Sequence, residues 1–145
     1  MNRRYICPMH TMRITGSLLA ILLFASACTD DAAGAAEFLA GTATKSWELQ
    51  AVNTGGIDEF LNDCERSLVL TFNADGTWAS DFTDAECTSD PREGTWILNA
   101  TNTELTVSEG GLEELWEILE LTEDALRYRR DDSGEDQLVR WRAAN

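Results

Sequence analysis

Four cysteines and a single histidine are the residues of this chain with the greatest capacity for covalent or metal chemistry. Cys7 and His10 lie before an apolar run, Cys28 lies shortly after it, and Cys64 and Cys87 lie in the remainder. If the run and everything before it are removed on export, no imidazole remains. Catalysis by a serine–histidine–aspartate or cysteine–histidine arrangement is then excluded, and so is zinc held by histidine.

The apolar run, Leu18 to Phe24, has the layout of a secretory leader, with arginines before it and small residues after it. It is too short to cross a bilayer core, which needs about 20 helical residues. The next residues, Ala-Ser-Ala-Cys at 25–28, resemble the lipobox of bacterial lipoproteins. This resemblance implies that residues 1–27 form a lipoprotein signal peptide and that Cys28 is lipidated. The alternative is ordinary cleavage nearby, which would leave Cys28 as a free thiol.

A cysteine that carries two or more acyl chains is attached to a membrane effectively permanently. The expected location is therefore the cell envelope, with membrane contact through the N-terminal lipid only. Thr29 follows the cysteine, where the usual signal for inner-membrane retention in such lipoproteins is aspartate, and this favours the outer membrane. Met12 begins a compact leader by itself, and we interpret it as an alternative start of translation.

Length and charge bound the class of the remaining chain. Residues 28–145 number 118, which corresponds to one domain with one core. They keep 8 basic and all 26 acidic residues, a formal charge of −18, so nucleic acid and anionic lipid are poor partners. The acidic residues predict a solubilising surface and a monomer. The alternative is adaptation to high salt, in which thermal stability rises with NaCl concentration.

The sequence pattern predicts a tether followed by an all-β domain. Residues 28–40 are small and acidic and lack strand periodicity, which predicts a flexible tether. Residues 41–145 alternate apolar and polar side chains between turn residues, as antiparallel strands do. We predict eight strands, whose closure into a barrel removes exposed sheet edges. The predicted strands are 46–52, 67–72, 77–82, 95–98, 104–108, 112–121, 125–130 and 137–142.

Three connecting or ambiguous segments complete this prediction. Asn73 to Gly76 suits a type I turn with Gly76 in the left-handed conformation, which makes 67–82 the clearest hairpin. Residues 57–61 are compatible with one helical turn. Residues 112–121 satisfy both helical and strand spacing, and we favour a strand because all the flanking segments are strands.

Cys64 and Cys87 flank the hairpin 67–82, whose two strands return the chain towards the same end. In an oxidising compartment we expect them to form a disulfide. Its loop of about 23 residues would stabilise the fold by roughly 3 to 4 kcal/mol on the chain-entropy model. A metal site or a redox pair is the alternative, but neighbouring ligands and the C-x-x-C spacing are both absent.

The segments that carry the predicted strands resemble the lipocalin-like lipoproteins common in Bacteroidetes-type bacteria. The resemblance runs through FLAGTATKSWELQAV, CERSLVLTFNADGTW, EGTWILN, TELTV and WEILELTEDALRYRR. It implies one domain with an eight-stranded antiparallel lipocalin-like β-barrel and a similar placement of the two hairpin cysteines. It also supports a strand for residues 115–121. The first strand departs from the compact G-x-W of lipocalins, because Gly41 and Trp47 are six residues apart.

Aromatic side chains on the predicted strands are the candidates for ligand contact. A barrel of eight strands holds either packed side chains or one small ligand, and aromatic walls suit an apolar or amphipathic guest. The alternative is that these residues simply fill the core. No catalytic residue, cofactor or metal site is expected. The candidates are Trp47, Trp78, Trp96, Trp116, Tyr128 and Trp141.

Charged residues of the last hairpin offer two weaker candidates. Five arginines are concentrated there, and we expect them to pair with carboxylates on the outer surface, the alternative being an anion contact at a barrel mouth. Residues 131–136 carry oxygen ligands for calcium but lack the spacing of an EF-hand loop, so a solvated turn is favoured. The arginines are Arg127, Arg129, Arg130, Arg140 and Arg142.

Three functions are compatible with these features. The leading hypothesis is a lipid-anchored, non-enzymatic binding module that holds a small apolar or amphipathic molecule inside the barrel. The alternative is a surface protein with a packed barrel that contacts another envelope protein or a polysaccharide. A carboxylate-dependent hydrolase is the third, although no carboxylate pair can be selected from 26 acidic residues by sequence.

Overall fold

The computed structural model describes residues 30–83 and 88–144. Its helices and strands, in chain order, are α1 (Asp30–Ala40), β1 (Thr44–Thr54), β2 (Ile57–Asp58), α2 (Asp63–Arg66), β3 (Val69–Asn73), β4 (Thr77–Thr83), β5 (Ser89–Leu98), β6 (Glu104–Glu109), β7 (Leu112–Leu121), β8 (Ala125–Asp132) and β9 (Glu135–Ala143). Within this part of the chain, neither helix is both long and apolar enough to span a bilayer.

The strands form one antiparallel sheet that closes on itself. From β3 to β9 each strand pairs with the next, and β1 pairs with both β3 and β9. Eight strands therefore form a closed barrel, and the two-residue β2 is an additional strand beside the end of β1. The predicted all-β, eight-stranded, lipocalin-like barrel is confirmed, including a strand at residues 112–121.

Two hairpins show how local sequence fixes the register. Gly76 has φ 86°, and the Asp75 carboxylate accepts hydrogen bonds from the backbone N–H and the hydroxyl of Thr77 at 3.0 and 2.7 Å. These hydrogen bonds lower the pKa of Asp75. The β8–β9 hairpin turns at Ser133 and Gly134, which both have positive φ, as tight two-residue hairpin turns require. Residues 131–136 are thus mainly paired strand ends.

Helix α1 is a difference from the flexible tether predicted for residues 28–40. The helix ends at Gly41, whose φ of 65° and N–H bond to the Glu37 carbonyl (2.8 Å) form a left-handed C-cap. Leu39 and Ala40 are fully buried and plug one end of the barrel, where the Trp47 indole donates to the Leu39 carbonyl at 2.9 Å. The folded unit therefore begins before residue 41.

Lys45 fastens this plug to the barrel. Its Nζ donates to the Phe38 carbonyl of α1 at 2.8 Å and to the Glu123 carbonyl of the β7–β8 turn at 2.5 Å. The ammonium also lies 4.5 Å from the ring centroid of Trp47, within cation–π range. Desolvation lowers the pKa of Lys45, and the nearby Glu123 and Asp124 charges oppose this effect.

Residues 57–61 do not form the predicted helical turn. Ile57 and Asp58 pair with the end of β1, and the helical turn comes later, in α2. Asn62 begins that turn because its side chain accepts from the Glu65 N–H at 2.9 Å while the Glu65 carboxylate accepts from the Asn62 N–H at 2.8 Å. This reciprocal capping box fixes the start of a helix locally.

Candidate functional site

The aromatic side chains predicted to contact a ligand all point into the barrel. None is more than 9% exposed, and they belong to one hydrophobic core together with residues of α1 and β3. The structure therefore brings the predicted set together, but as packed core. The six side chains are Trp47, Trp78, Trp96, Trp116, Tyr128 and Trp141.

On the β3–β6 side of the barrel, aromatic packing is fully hydrogen-bonded. The Trp96 indole donates to the carbonyls of Asn73 and Thr77 at 3.1 and 3.0 Å. Phe72 meets the Trp96 ring edge-on, with centroids 5.9 Å apart and an interplanar angle of 87°. Such an edge-to-face pair adds about 0.5–1.5 kcal/mol to the effect of burial.

Trp78 is held in the same way by its neighbours. Its indole donates to the Ser108 carbonyl at 3.3 Å. Gly94 makes this approach possible, because a Cβ at that position would lie 1.8 Å from the Ser108 carbonyl oxygen and 2.7 Å from the Trp78 Nε1. No side chain fits there without moving backbone.

On the β7–β9 side, the buried indoles lack acceptors. Trp116 stacks on Tyr128 with centroids 4.0 Å apart and planes inclined by 10°. The Nε1 atoms of Trp116 and Trp141 are buried without a hydrogen-bond partner. Buried donors of this kind are rare, because an unmade hydrogen bond costs about 1–3 kcal/mol.

Tyr128 lies between these two indoles. Burial raises the pKa of its phenol to about 12, a rise that the Arg130 charge opposes and the Glu114 charge reinforces. The Trp141 indole N–H is near enough to favour the ionised phenol, but the two groups do not reach hydrogen-bond geometry. The phenol is therefore neutral at physiological pH.

A polar network closes the end of the barrel opposite α1. Arg130 donates through Nε to the Gln137 side-chain oxygen at 2.7 Å and forms an ion pair with Glu114 at 3.2 Å. The Gln137 amide donates in turn to the Thr54 hydroxyl at 3.2 Å, and Gln137 is only 7% exposed. Glu114 and Gln137 cannot be recognised as partners from the sequence, since each is one of many polar residues in strands and only the register joins them.

The outer-facing arginines of the last hairpin mostly pair with carboxylates. Three of them meet a glutamate on an adjacent strand, in the pairs Arg129–Glu117 at 2.6 Å, Arg142–Glu48 at 2.9 Å and Arg127–Glu120 at 3.8 Å. Exposed pairs of this kind contribute little to stability. Arg140, by contrast, has neither an ion pair nor a hydrogen bond among the described residues.

Three concavities of the described surface lie outside the barrel. One of about 410 Å³ lies between α1 and the end of β7, beside Phe38 and Leu121. A wider one of about 640 Å³ covers the outer faces of β3, β4 and β5, near Thr71 and Pro91. The third, of about 310 Å³, lies over the strands that carry Arg127 and Arg140.

Of the three cysteines predicted to be lipidated or disulfide-bonded, the structure describes one. Cys64 is half-buried in α2, whereas Cys28 and Cys87 lie outside the described residues. Lipidation of Cys28 and pairing of Cys64 with Cys87 stay predictions. In residues 30–83 and 88–144, no three histidine, cysteine, aspartate or glutamate side chains gather closely enough to hold a metal ion.

A closed antiparallel barrel of eight strands, plugged at one end by a helix and packed with aromatic side chains, defines a small β-barrel protein of the lipocalin type. The family model of the lipocalin-like domain matches residues 44–128. The chain belongs to the lipocalin-like domain family, which confirms the resemblance seen in the sequence.

Two crystal structures share the fold. A lipocalin-like protein from Bacteroides uniformis is 15% identical, with a TM-score of 0.53 over 72% of this chain and 97% of that one. An uncharacterized protein from Bacteroides eggerthii is 12% identical, with a TM-score of 0.52 over 68% of this chain and 97% of that one. No curated protein matches the chain.

Proposed function

We propose that this chain is a non-enzymatic, lipid-anchored protein of the cell envelope whose packed barrel contacts another envelope protein through its outer surface. The observation that carries this proposal is the packing of the barrel interior. All six aromatic side chains that would line a ligand cavity are at most 9% exposed and belong to one hydrophobic core with residues of the plugging helix. A barrel filled in this way acts through its outer surface.

The two ends of the barrel differ in a way that supports this function. Helix α1, at one end, follows directly on the segment proposed to carry the lipid. The opposite end presents exposed apolar side chains on hairpin tips and loops, with Ile57, Phe60 and Leu112 exposed by 73, 89 and 80%. Exposed apolar side chains are typical of a contact surface when they cluster. A tether at the first end would direct these side chains away from the membrane and towards a partner protein.

A site-specific photo-crosslinker tests this contact. Placed at Phe60 in intact cells, it should capture a discrete envelope protein, whereas the same group at Ile97, which is 70% exposed on the barrel wall, should not. Equal capture from both positions would contradict a contact surface at the end opposite α1. Replacement of Phe60 by serine should also abolish capture from a crosslinker at Leu112.

The proposed anchor has its own test. Replacing Cys28 by serine should move the protein from the membrane fraction to the soluble fraction, because the acyl chains supply nearly all of the membrane affinity. Unchanged membrane retention of the Cys28→Ser variant would reject lipidation at this position. Separation of inner and outer membranes then tests the proposed outer-membrane location.

We propose in addition that Cys64 and Cys87 form a disulfide. Helix α2 packs beside β4, and residue 87 follows the end of β4 by four positions. Reduction should lower the melting temperature of the protein, and Cys64→Ala should lower it equally. Identical melting of oxidised and reduced protein would reject the bond.

A small ligand inside the barrel is the second candidate function, favoured by the unpaired indole N–H groups of Trp116 and Trp141. An amphipathic molecule with an oxygen acceptor would supply what these donors lack. Native mass spectrometry should then detect a co-purifying small molecule, and fatty acids should quench tryptophan fluorescence less in a Trp116→Phe variant. Absence of both effects would reject a ligand inside the barrel and favour the first proposal.

A further inference from the structure

Two arginines face each other on the outer wall of the barrel. Arg127 on β8 and Arg140 on β9 are direct cross-strand partners. Like charges in this position repel and destabilise a sheet. On its other side Arg127 faces Glu120 of β7, so Arg140 is the arginine of this pair that lacks an opposite carboxylate.

Comparison with Arg142 shows that Arg140 lacks an opposite carboxylate on β1. One row along β9, Arg142 faces Glu48 of β1 and forms an ion pair with it at 2.9 Å. At the equivalent position Arg140 faces Ala51, which carries no charge and little bulk. Arg140 accordingly has no ion pair or hydrogen bond within the described residues.

The small side chain of Ala51 helps to open the concavity of about 310 Å³. The lining of this concavity is formed by Gln50, Ala51, Glu120, Ala125, Leu126, Arg127, Arg140 and Trp141. Both register shifts of the barrel strands lie at its edges, between Leu49 and Ala51 in β1 and between Ile118 and Glu120 in β7. Bulges of this kind re-aim side chains and are frequent beside functional sites.

The lining also contains a donor without an acceptor. The Nε of Arg127 is buried and has no hydrogen-bond partner, and its nearest charge is the Glu120 carboxylate at 3.8 Å. Glu120 offsets one of the two guanidinium charges, so the concavity keeps an excess of positive charge in an acidic protein.

We propose that Arg127 and Arg140 form a binding site on the outer barrel wall for a small oxyanion, a carboxylate or phosphate group. Guanidinium groups bind both through paired, charge-assisted hydrogen bonds. The bound anion replaces the carboxylate that β1 lacks at Ala51 and turns the Arg127–Arg140 repulsion into a shared attraction. This site is independent of the barrel interior and of the exposed apolar side chains at the end opposite α1.

Titration of the purified protein with inorganic phosphate and, separately, with acetate tests the site at constant ionic strength set with chloride. Saturable binding should shift the NMR signals of the Arg127 and Arg140 Nε–H groups and leave the Arg142 signal in place. Whichever anion binds more tightly identifies the preferred class. If neither anion binds saturably, or if all three arginine signals move together, the proposal is wrong.

Two variants separate binding from folding. Arg140→Gln should lower the affinity for the anion roughly tenfold or more, because it removes a charge-assisted pair, and should melt no lower than the native protein because it removes a like charge. Ala51→Glu should place a carboxylate opposite Arg140, abolish anion binding and raise the melting temperature. Arg142→Gln, the matched control on the same strand face, should keep the native affinity. Undiminished binding in Arg140→Gln and Ala51→Glu, or an equal loss in Arg142→Gln, would overturn the site.

Discussion

The buried tryptophans on the two sides of the barrel differ in their hydrogen bonding. On the β3–β6 side, the buried indoles of Trp78 and Trp96 donate to backbone carbonyls. On the β7–β9 side, Trp116 and Trp141 are as deeply buried but have no acceptor. Burial alone therefore does not distinguish an indole whose N–H is hydrogen-bonded from one whose donor has no acceptor. The second side also carries the arginines, and the two barrel-strand bulges lie in β7 and in β1, which pairs with β9.

The largest effect expected on the satisfied side comes from Gly94→Ala. The added Cβ would meet the Ser108 carbonyl at 1.8 Å, so strands β5 and β6 would have to separate. We expect a loss of about 4 kcal/mol or more in the free energy of unfolding, or failure to fold. Urea denaturation followed by circular dichroism measures it. Gly34→Ala is the control, because a Cβ there meets nothing within 4 Å and α1 should tolerate it. Native stability of the Gly94→Ala variant would show that the close approach of β5 and β6 at Gly94 is not required.

Alkaline pH tests the unsatisfied side through Tyr128. Its pKa is about 12 in the folded protein against 10.0 for the free phenol, so the folded state holds the proton more tightly. The resulting stability is fully present below pH 10 and should fall by about 1.4 kcal/mol per unit as pH rises towards 12. Urea titrations across this range measure the slope. Tyr128→Phe should remove this contribution, and an unchanged slope in that variant would assign the effect to other groups.

A pair of tryptophan variants sharpens the comparison directly. Trp96→Phe removes a donor that satisfies two carbonyls, whereas Trp116→Phe removes a donor that satisfies none. Both lose similar apolar area, so Trp96→Phe should be the more destabilising by about 1–3 kcal/mol. Equal losses in chemical denaturation would show that a bound solvent molecule or ligand satisfies Trp116.

The smallest effect is expected from salt, which acts on both sides alike. The excess of carboxylates on the surface repels itself in dilute buffer, and the Debye length falls from about 30 Å at 0.01 M to about 3 Å at 1 M. The melting temperature should rise by a few degrees across that range. A flat response would leave a solubilising surface as the role of the acidic residues.

Alternation predicted the strands well because one face of each is buried against the core. Turn chemistry at Asp75 and Gly76 located the β3–β4 hairpin, and alternation placed Trp47, Trp78 and Trp96 on the inward faces of their strands. It could not locate the start of β5, because residues 89–93 are exposed on both faces and their strand depends on pairing with β4. Nor could it predict that Leu39 and Ala40 are buried, since only the open end of a finished barrel gives them a place to pack.

The proposed anion site on the outer wall could not be predicted from the sequence either. A single extra residue at Gln50 breaks the alternation of β1, and the residue types in this segment do not predict such a bulge. The arginines were visible as a cluster, but the pairing of Arg140 with Ala51 instead of an acidic residue follows only from the register. Three of the outer-facing arginines behave as the sequence predicted, and the fourth depends on one neighbour.

The fastening of α1 has a practical consequence for handling this protein. Lys45 is the one lysine of the entire sequence, and it is the second residue of β1, bonded through its side chain to α1. A lysine-specific protease therefore has a single cleavage point, where the Nζ is held by two carbonyls. Cleavage requires that the helix leave the barrel end and that the start of β1 separate from β3, and it would then detach the chain up to Lys45 from the rest of the barrel. The rate of cleavage after Lys45 would therefore measure how often α1 leaves the end of the barrel.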